Sequence, residues 1–332
     1  MIKVVVIVPV WLIGFTVHAS EPSYVAQVTE GPPMPFGVAA HAGGNVRGVP
    51  VVTGGSSWSQ DKTTKQWHRE TLLFVDGKWK QGLMLPSPRS DLAYASNDTG
   101  LYVAGGTDGK LATREVLRLC EVGSDATWQR LTDFPEPIQS ASGAILGGKL
   151  YVAGGFSHDK ASQRLWALDT SRTNAQWKEC APLPAKGRGY VALVAHDNSL
   201  YLFGGYAGPP YQTETEVFGD AYRYDPAADR WERLKGFDLP GFGWSAVSDD
   251  DAHILLAGRI DERNQITDGI WLVDPQAPKP VAIGRLVIQS CCVSPIRVAP
   301  NTWWFIGGEP DVQKSRTPRI SAVHLAKTPH KP

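Results

Sequence analysis

Leu200-Tyr201-Leu202-Phe203-Gly204-Gly205 leads to Tyr222-Arg223-Tyr224-Asp225-Pro226 and then to Trp231. An apolar run closes on a glycine pair, and a tryptophan follows 26 residues after the second glycine. The same pattern recurs along the chain. Apolar residues meet a glycine pair at Val51 to Gly55, Tyr102 to Gly106, Tyr151 to Gly155 and Trp304 to Gly308, with a variant, Leu255 to Arg259, in between. The second positions, 55, 106, 155, 205, 259 and 308, lie 51, 49, 50, 54 and 49 residues apart. Trp79, Trp128 and Trp177 follow their glycine pairs by 24, 22 and 22 residues. The fifth unit lacks the tryptophan, and its pair has become Gly258-Arg259.

Six near-equal units with these two marks resemble the Kelch repeat, in which each period of about 50 residues is one propeller blade. The expected fold class is therefore all-β: a six-bladed Kelch β-propeller whose last blade is closed by the N-terminal strand. Each unit offers short strands with turns between them, and no stretch of useful length shows helical periodicity. A four-stranded blade cannot bury both faces alone, so blades pack around an axis. The glycine pair is expected where chains crowd near that axis, and the tryptophan in the gap between outer strands. The blades are expected near 34–83, 85–131, 135–180, 182–234, 239–283 and 288–327. The last lacks an outer strand, and residues 23–30 supply it, because Tyr24 to Val28 precedes Pro32-Pro33-Met34-Pro35 much as Trp128 to Leu131 precedes Pro135-Glu136-Pro137. Such a clasp removes a free edge.

Lys3, the apolar run Val4 to Phe15 and Val17-His18-Ala19 have the layout of a secretory signal peptide covering residues 1–19. The run is too short for a bilayer core of about 30 Å. The expectation is a periplasmic or secreted protein, a single propeller over residues 20–332, with no membrane insertion. Acidic and basic residues balance at 33 each, so no basic field exists to hold nucleic acid. The four cysteines, Cys120, Cys180 and the adjacent Cys291-Cys292, make no disulfide framework and no zinc spacing. No metal and no cofactor are expected.

Individual blades resemble those of the bacterial sialic acid mutarotase (N-acetylneuraminate epimerase) family, in a cyclically permuted order. Glu216-Val217-Phe218-Gly219-Asp220 with Tyr224-Asp225-Pro226 and Trp231 is similar to that family's second blade. Pro35 to Ala40 with Phe74 to Trp79 resembles its fifth, Arg89 with Leu101 to Gly106 its sixth, and Ser142 to Trp177 its first. Permutation is cheap in a ring, because every blade keeps both neighbours. Thr302 to Glu309, followed by Arg316-Thr317, resembles the catalytic blade, although the loop is one residue longer and Pro318-Arg319 follows where the family has an acidic residue.

The resemblance implies Glu309 as the acid/base and Arg316 as the arginine that holds a substrate carboxylate, with an acidic sugar as the small-molecule partner. Opening and closing a sugar ring needs a proton moved between two oxygens, and a guanidinium grips a carboxylate bidentately. Arg89 and Arg188 are expected to reach the central pocket as substrate contacts, with His41 and Gln289 beside them. Asp91, Gln139, Ser140, Tyr190 and Trp244 occupy comparable segments. Other readings remain, among them another sugar isomerase or a bacterial surface scaffold, which no residue excludes. A further one is an exported propeller that binds a glycan or a protein partner without turnover. The last is a copper oxidase, which the scattered histidines disfavour.

Overall fold

The computed structural model describes residues 23–208, 216–249, 251–313 and 315–328; the signal-peptide reading lies outside the described residues. Six four-stranded antiparallel sheets follow one another around an axis. From the axis outward, blade 1 consists of Ala42–Val46, Val49–Thr53, Thr71–Val75 and Lys78–Gln81, and blade 2 of Ala93–Asn97, Gly100–Ala104, Val116–Leu119 and Trp128–Arg130. Blade 3 consists of Ser142–Leu146, Lys149–Ala153, Leu165–Asp169 and Lys178–Cys180, and blade 4 of Ala192–His196, Ser199–Phe203, Ala221–Asp225 and Arg230–Arg233. Blade 5 contains Ser245–Ser248, Ile254–Ala257, Gly269–Asp274 and Ala277–Arg285. Blade 6 contains Ser294–Ala299, Thr302–Ile306 and Ile320–Lys327, and its outer strand is Tyr24–Glu30. That strand pairs antiparallel from Tyr24↔Lys327 to Glu30↔Ser321, so the two ends of the described chain close the ring as the sequence predicts.

No single core lies at the hub. Six apolar clusters occur among the described residues, and each fills one interface between neighbouring blades. The second strands are the most buried, Leu101-Tyr102-Val103-Ala104 among them, because both of their faces meet another blade. This explains why they read as unbroken apolar runs rather than as alternating ones.

The repeated tryptophans have a shared task. Trp79, Trp128, Trp177 and Trp231 donate their indole N–H to the carbonyls of Pro32, Leu83, Thr132 and Ala181, at 3.0, 3.1, 3.0 and 2.8 Å. Each acceptor lies in the segment that enters the tryptophan's own blade, so the bond pins the outer strand to the chain arriving from its neighbour. Trp177→Phe removes the bond together with part of the ring surface that packs on Phe134 (centroids 4.8 Å apart). The expected loss is about 1 kcal/mol in urea unfolding; no measurable change would show that the bond is idle.

A closed ring of backbone hydrogen bonds surrounds the axis. Ala40, Asp91, Ser140, Tyr190, Gly243 and Cys292 precede the six inner strands, and all are left-handed, with φ between 51° and 66°. Each N–H donates to the carbonyl of the equivalent residue in the preceding blade: Asp91 to Ala40, Ser140 to Asp91, Tyr190 to Ser140, Gly243 to Tyr190, Cys292 to Gly243, and Ala40 to Cys292, at 2.8–3.1 Å. The left-handed turn swings the backbone out of the strand direction, so that donor and acceptor face adjacent blades. Beneath this collar the inner strands enclose an axial cavity of about 350 Å³.

Candidate active site at the channel mouth

The glycine pairs end the second strands beside the collar. Gly154 shows why glycine is needed there: φ is +67°, and a Cβ would stand 2.6 Å from the Arg188 carbonyl. The residue after each pair is Ser56, Thr107, Phe156, Tyr206, Ile260 or Glu309. Each exchanges two backbone hydrogen bonds with the residue before a collar position. Six equivalent positions therefore ring the mouth, and only blade 6 places a carboxylate in its own. Glu309 and Cys291 make this exchange at 2.9 and 3.0 Å, which fixes the Glu309 backbone against the collar.

The loop leaving Glu309 returns Arg316 to it. Asp311 accepts the N–H groups of Gln313 and Ser315 at 2.8 and 3.3 Å, and Thr317 N donates to Gly308 O at 3.1 Å. Arg316 Nη2 then lies 2.9 Å from Glu309 Oε1, and its Nη1 donates to Ser315 O at 2.8 Å. The Arg316 side chain is 6% exposed and that of Glu309 is 30% exposed, so the carboxylate is the accessible partner. Burial pushes the Glu309 pKa above its usual range; Arg316 opposes that shift, Asp91 adds to it, and Lys65 draws it down.

Polar and aromatic groups divide the mouth between them. Asp91 accepts from Ser90 Oγ at 2.7 Å and from Tyr190 Oη at 2.9 Å. Toward blades 3 to 5, Tyr190 stacks on Tyr206 (5.6 Å, 15°), and Tyr206 meets Phe242 edge-on at 4.8 Å. Asp91, Ser140, Tyr190 and Trp244 line the axial cavity, whereas Gln139 does not. The sequence reading missed Phe156, Tyr206 and Phe242. The signal was available for the first two, which directly follow glycine pairs as Glu309 does.

The other expected contacts separate. Arg89 and Arg188 do not line the axial cavity, and neither do Glu309 and Arg316, which stand beside the collar. Arg89, 2% exposed, pairs with Glu115 and donates to Ser87 Oγ at 3.0 Å. Arg188, 1% exposed, reaches Asp220 at 2.5 Å and covers the Phe218 ring at 3.7 Å. Both arginines precede the collar residue by two positions, which turns them back into their own blades. The expectation that they reach the pocket is corrected accordingly. Gln289 is exposed and donates to Pro310 O at 2.9 Å, bracing the loop between Glu309 and Arg316. Arg259, in place of a glycine, stacks over Trp244 at 5.3 Å and donates to the Pro240 carbonyl.

His41 does line the cavity, but as part of the blade 6–blade 1 contact. It follows the collar where the other blades carry Leu92, Ala141, Val191, Trp244 and Val293. It is 2% exposed, and neither ring nitrogen has a hydrogen-bond partner. Burial lowers its pKa to about 3. The folded-state pKa lies below the unfolded value, so stability is full above pH 6.5 and is lost as pH falls toward 3, by about 1.4 kcal/mol per unit at most. His41→Leu is expected to raise the melting temperature and to flatten its decline between pH 6.5 and 4. Parallel melting curves for the two proteins would contradict this.

Among the described residues, no three His, Cys, Asp or Glu side chains converge as a metal site requires, and no helix is long and apolar enough to cross a membrane. A family model described as N-acetylneuraminate epimerase matches residues 131–277, from the end of blade 2 into the outer strand of blade 5. The matched stretch ends before blade 6. No curated protein matches the chain. The protein is a six-bladed β-propeller that resembles the N-acetylneuraminate epimerase family.

Proposed function

We propose that the protein is a sugar mutarotase that interconverts the α and β anomers of N-acetylneuraminate or a related acidic sugar. The observation that carries this reading is the contact between Glu309 and Arg316 beside the collar, with the carboxylate outermost. Anomer exchange breaks the bond between the anomeric carbon and the ring oxygen and later remakes it on the other face. The anomeric hydroxyl gives up a proton and the ring oxygen gains one. Both oxygens are attached to one carbon, so a single carboxyl group can face both and carry the proton between them. A carboxyl raised above its usual range by burial is better matched to such exchange near neutrality.

Arg316 would orient the sugar's own carboxylate through charge-assisted hydrogen bonds. The stacked rings of Tyr190 and Tyr206 offer an apolar wall for the opposite face of the sugar ring. Export, with the sugar met outside the cytoplasm, belongs to the same reading.

The test is the loss of freshly released α-N-acetylneuraminate, followed by NMR or polarimetry with and without the protein. Acceleration over buffer is expected, and its absence overturns the catalytic reading. The burial of Arg316 behind Glu309 favours one alternative, in which the mouth binds an acidic sugar without turnover. Binding by calorimetry with no change in anomer exchange would identify that case.

A further inference from the structure

Blade 6 places two thiols at the collar. Successive side chains of an extended strand point to opposite faces, yet Cys292 is left-handed, with φ of 52°. The reversal sets both cysteines against the same neighbour. Both border Gly243 of blade 5: a Cβ there would stand 3.3 Å from Cys292 Sγ and 3.6 Å from Cys291 Cβ. A side chain at position 243 would therefore crowd the pair. The equivalent collar residues of the other blades are Ala40, Asp91, Ser140, Tyr190 and Gly243, so the thiol pair is peculiar to the blade that carries Glu309. Cys291 is fully buried, whereas Cys292 is partly exposed and lines the axial cavity.

We propose that Cys291 and Cys292 form a redox-active vicinal dithiol that closes to a reversible disulfide when it meets a low-molecular-weight disulfide. The inference stands independently of the mutarotase reading. Cys292 is the accessible sulfur, so its thiolate attacks the oxidant, releases one small thiol and forms a mixed disulfide. The Cys291 thiolate then displaces the second small thiol and closes the ring. The protein gives up two protons and two electrons, and the oxidant takes them as two thiols. Cys291 is fully buried and Cys292 lines the cavity, which leaves Cys292 the first to react and Cys291 the resolving partner.

The closed form is easily reopened. Adjacent Cα atoms are about 3.8 Å apart, below the roughly 4.4–6.8 Å that a disulfide usually spans. A strained bridge is reduced readily, as labile and regulatory disulfides are. Closure acts on Glu309 directly, because Cys291 holds the Glu309 backbone through both of its own hydrogen bonds.

The experiment treats the reduced full chain with oxidised glutathione and maps cysteine peptides by mass spectrometry. The peptide carrying Cys291 and Cys292 is expected to lose two hydrogens and to retain no adduct. Cys291→Ser is expected to stop at a glutathione adduct on Cys292, and Cys292→Ser to leave Cys291 unmodified. A wild-type peptide that keeps both thiols, or that holds a stable adduct, overturns the proposal. Sugar anomer exchange measured before oxidation, after it, and after dithiothreitol separates the two readings. Exchange that falls on oxidation and returns on reduction supports the link to Glu309. A protein that forms the disulfide but never accelerates exchange keeps the dithiol and loses the mutarotase.

Discussion

Glu309→Gln should slow protein-catalysed anomer exchange by about 10²- to 10⁴-fold, the usual contribution of general acid–base catalysis. The amide fills the same space and can still hydrogen-bond, but it neither takes nor gives a proton at the anomeric centre. The fold should survive, because the backbone of residue 309 is held by Cys291 and the Glu309 side chain is partly open to water. Sugar affinity should change less than the rate, since Arg316 remains. The pH profile offers a second check. Burial raises the Glu309 pKa, so wild-type activity should fall as pH drops through a midpoint above the ordinary carboxylate value of about 4.3. The residual rate of the variant should show no such inflection. A Gln variant with full activity would move the chemistry to another residue, or leave the mouth as a binding site.

Arg188→Ala should lower the unfolding free energy by about 3–5 kcal/mol, the range for breaking a buried pair from one side. The guanidinium bonds Asp220, the Gly204 carbonyl at 3.2 Å and the Lys186 carbonyl at 3.2 Å, and it covers Phe218. Removing it strands a carboxylate that retains only the Tyr222 hydroxyl, at 2.9 Å, among these partners. Joint replacement, Arg188→Met with Asp220→Leu, should recover much of the loss, because apolar groups of similar volume need no counter-charge. Urea unfolding of the single and double variants measures both effects. If Arg188→Ala instead weakened sugar binding with little change in stability, the arginine would belong to the site, as its place in the sequence first suggested.

Arg188 also marks how far the site could be read from the chain. Arg89 and Asp91 are two residues apart, as are Arg188 and Tyr190, and nothing in the residue types says which member faces the axis. The choice depends on the left-handed turn at Asp91 and Tyr190, a conformation usually marked by glycine or asparagine. Here Ala40, Asp91, Ser140, Tyr190 and Cys292 adopt it because their N–H groups complete the collar. By contrast, the place of Glu309 near the mouth followed from its position directly after a glycine pair, whereas Arg316 was named only through the family resemblance; the fold brings the two side chains within 2.9 Å. Asp91 and Lys65, which act on the charge of Glu309, arrive from blades 2 and 1.

The number of blades and the N-terminal closing strand were thus determined by the sequence alone. Most blades are sets of hairpins whose glycine pair and turns lie within one repeat, and four of them carry the outer tryptophan as well, so local pattern suffices. Ring closure decided the rest: which side chains meet at the hub, that His41 is buried without a partner, and that both cysteines of blade 6 border Gly243 of blade 5. These contacts join residues a whole blade or a whole chain apart, through hydrogen bonds that exist only once six blades stand in a circle.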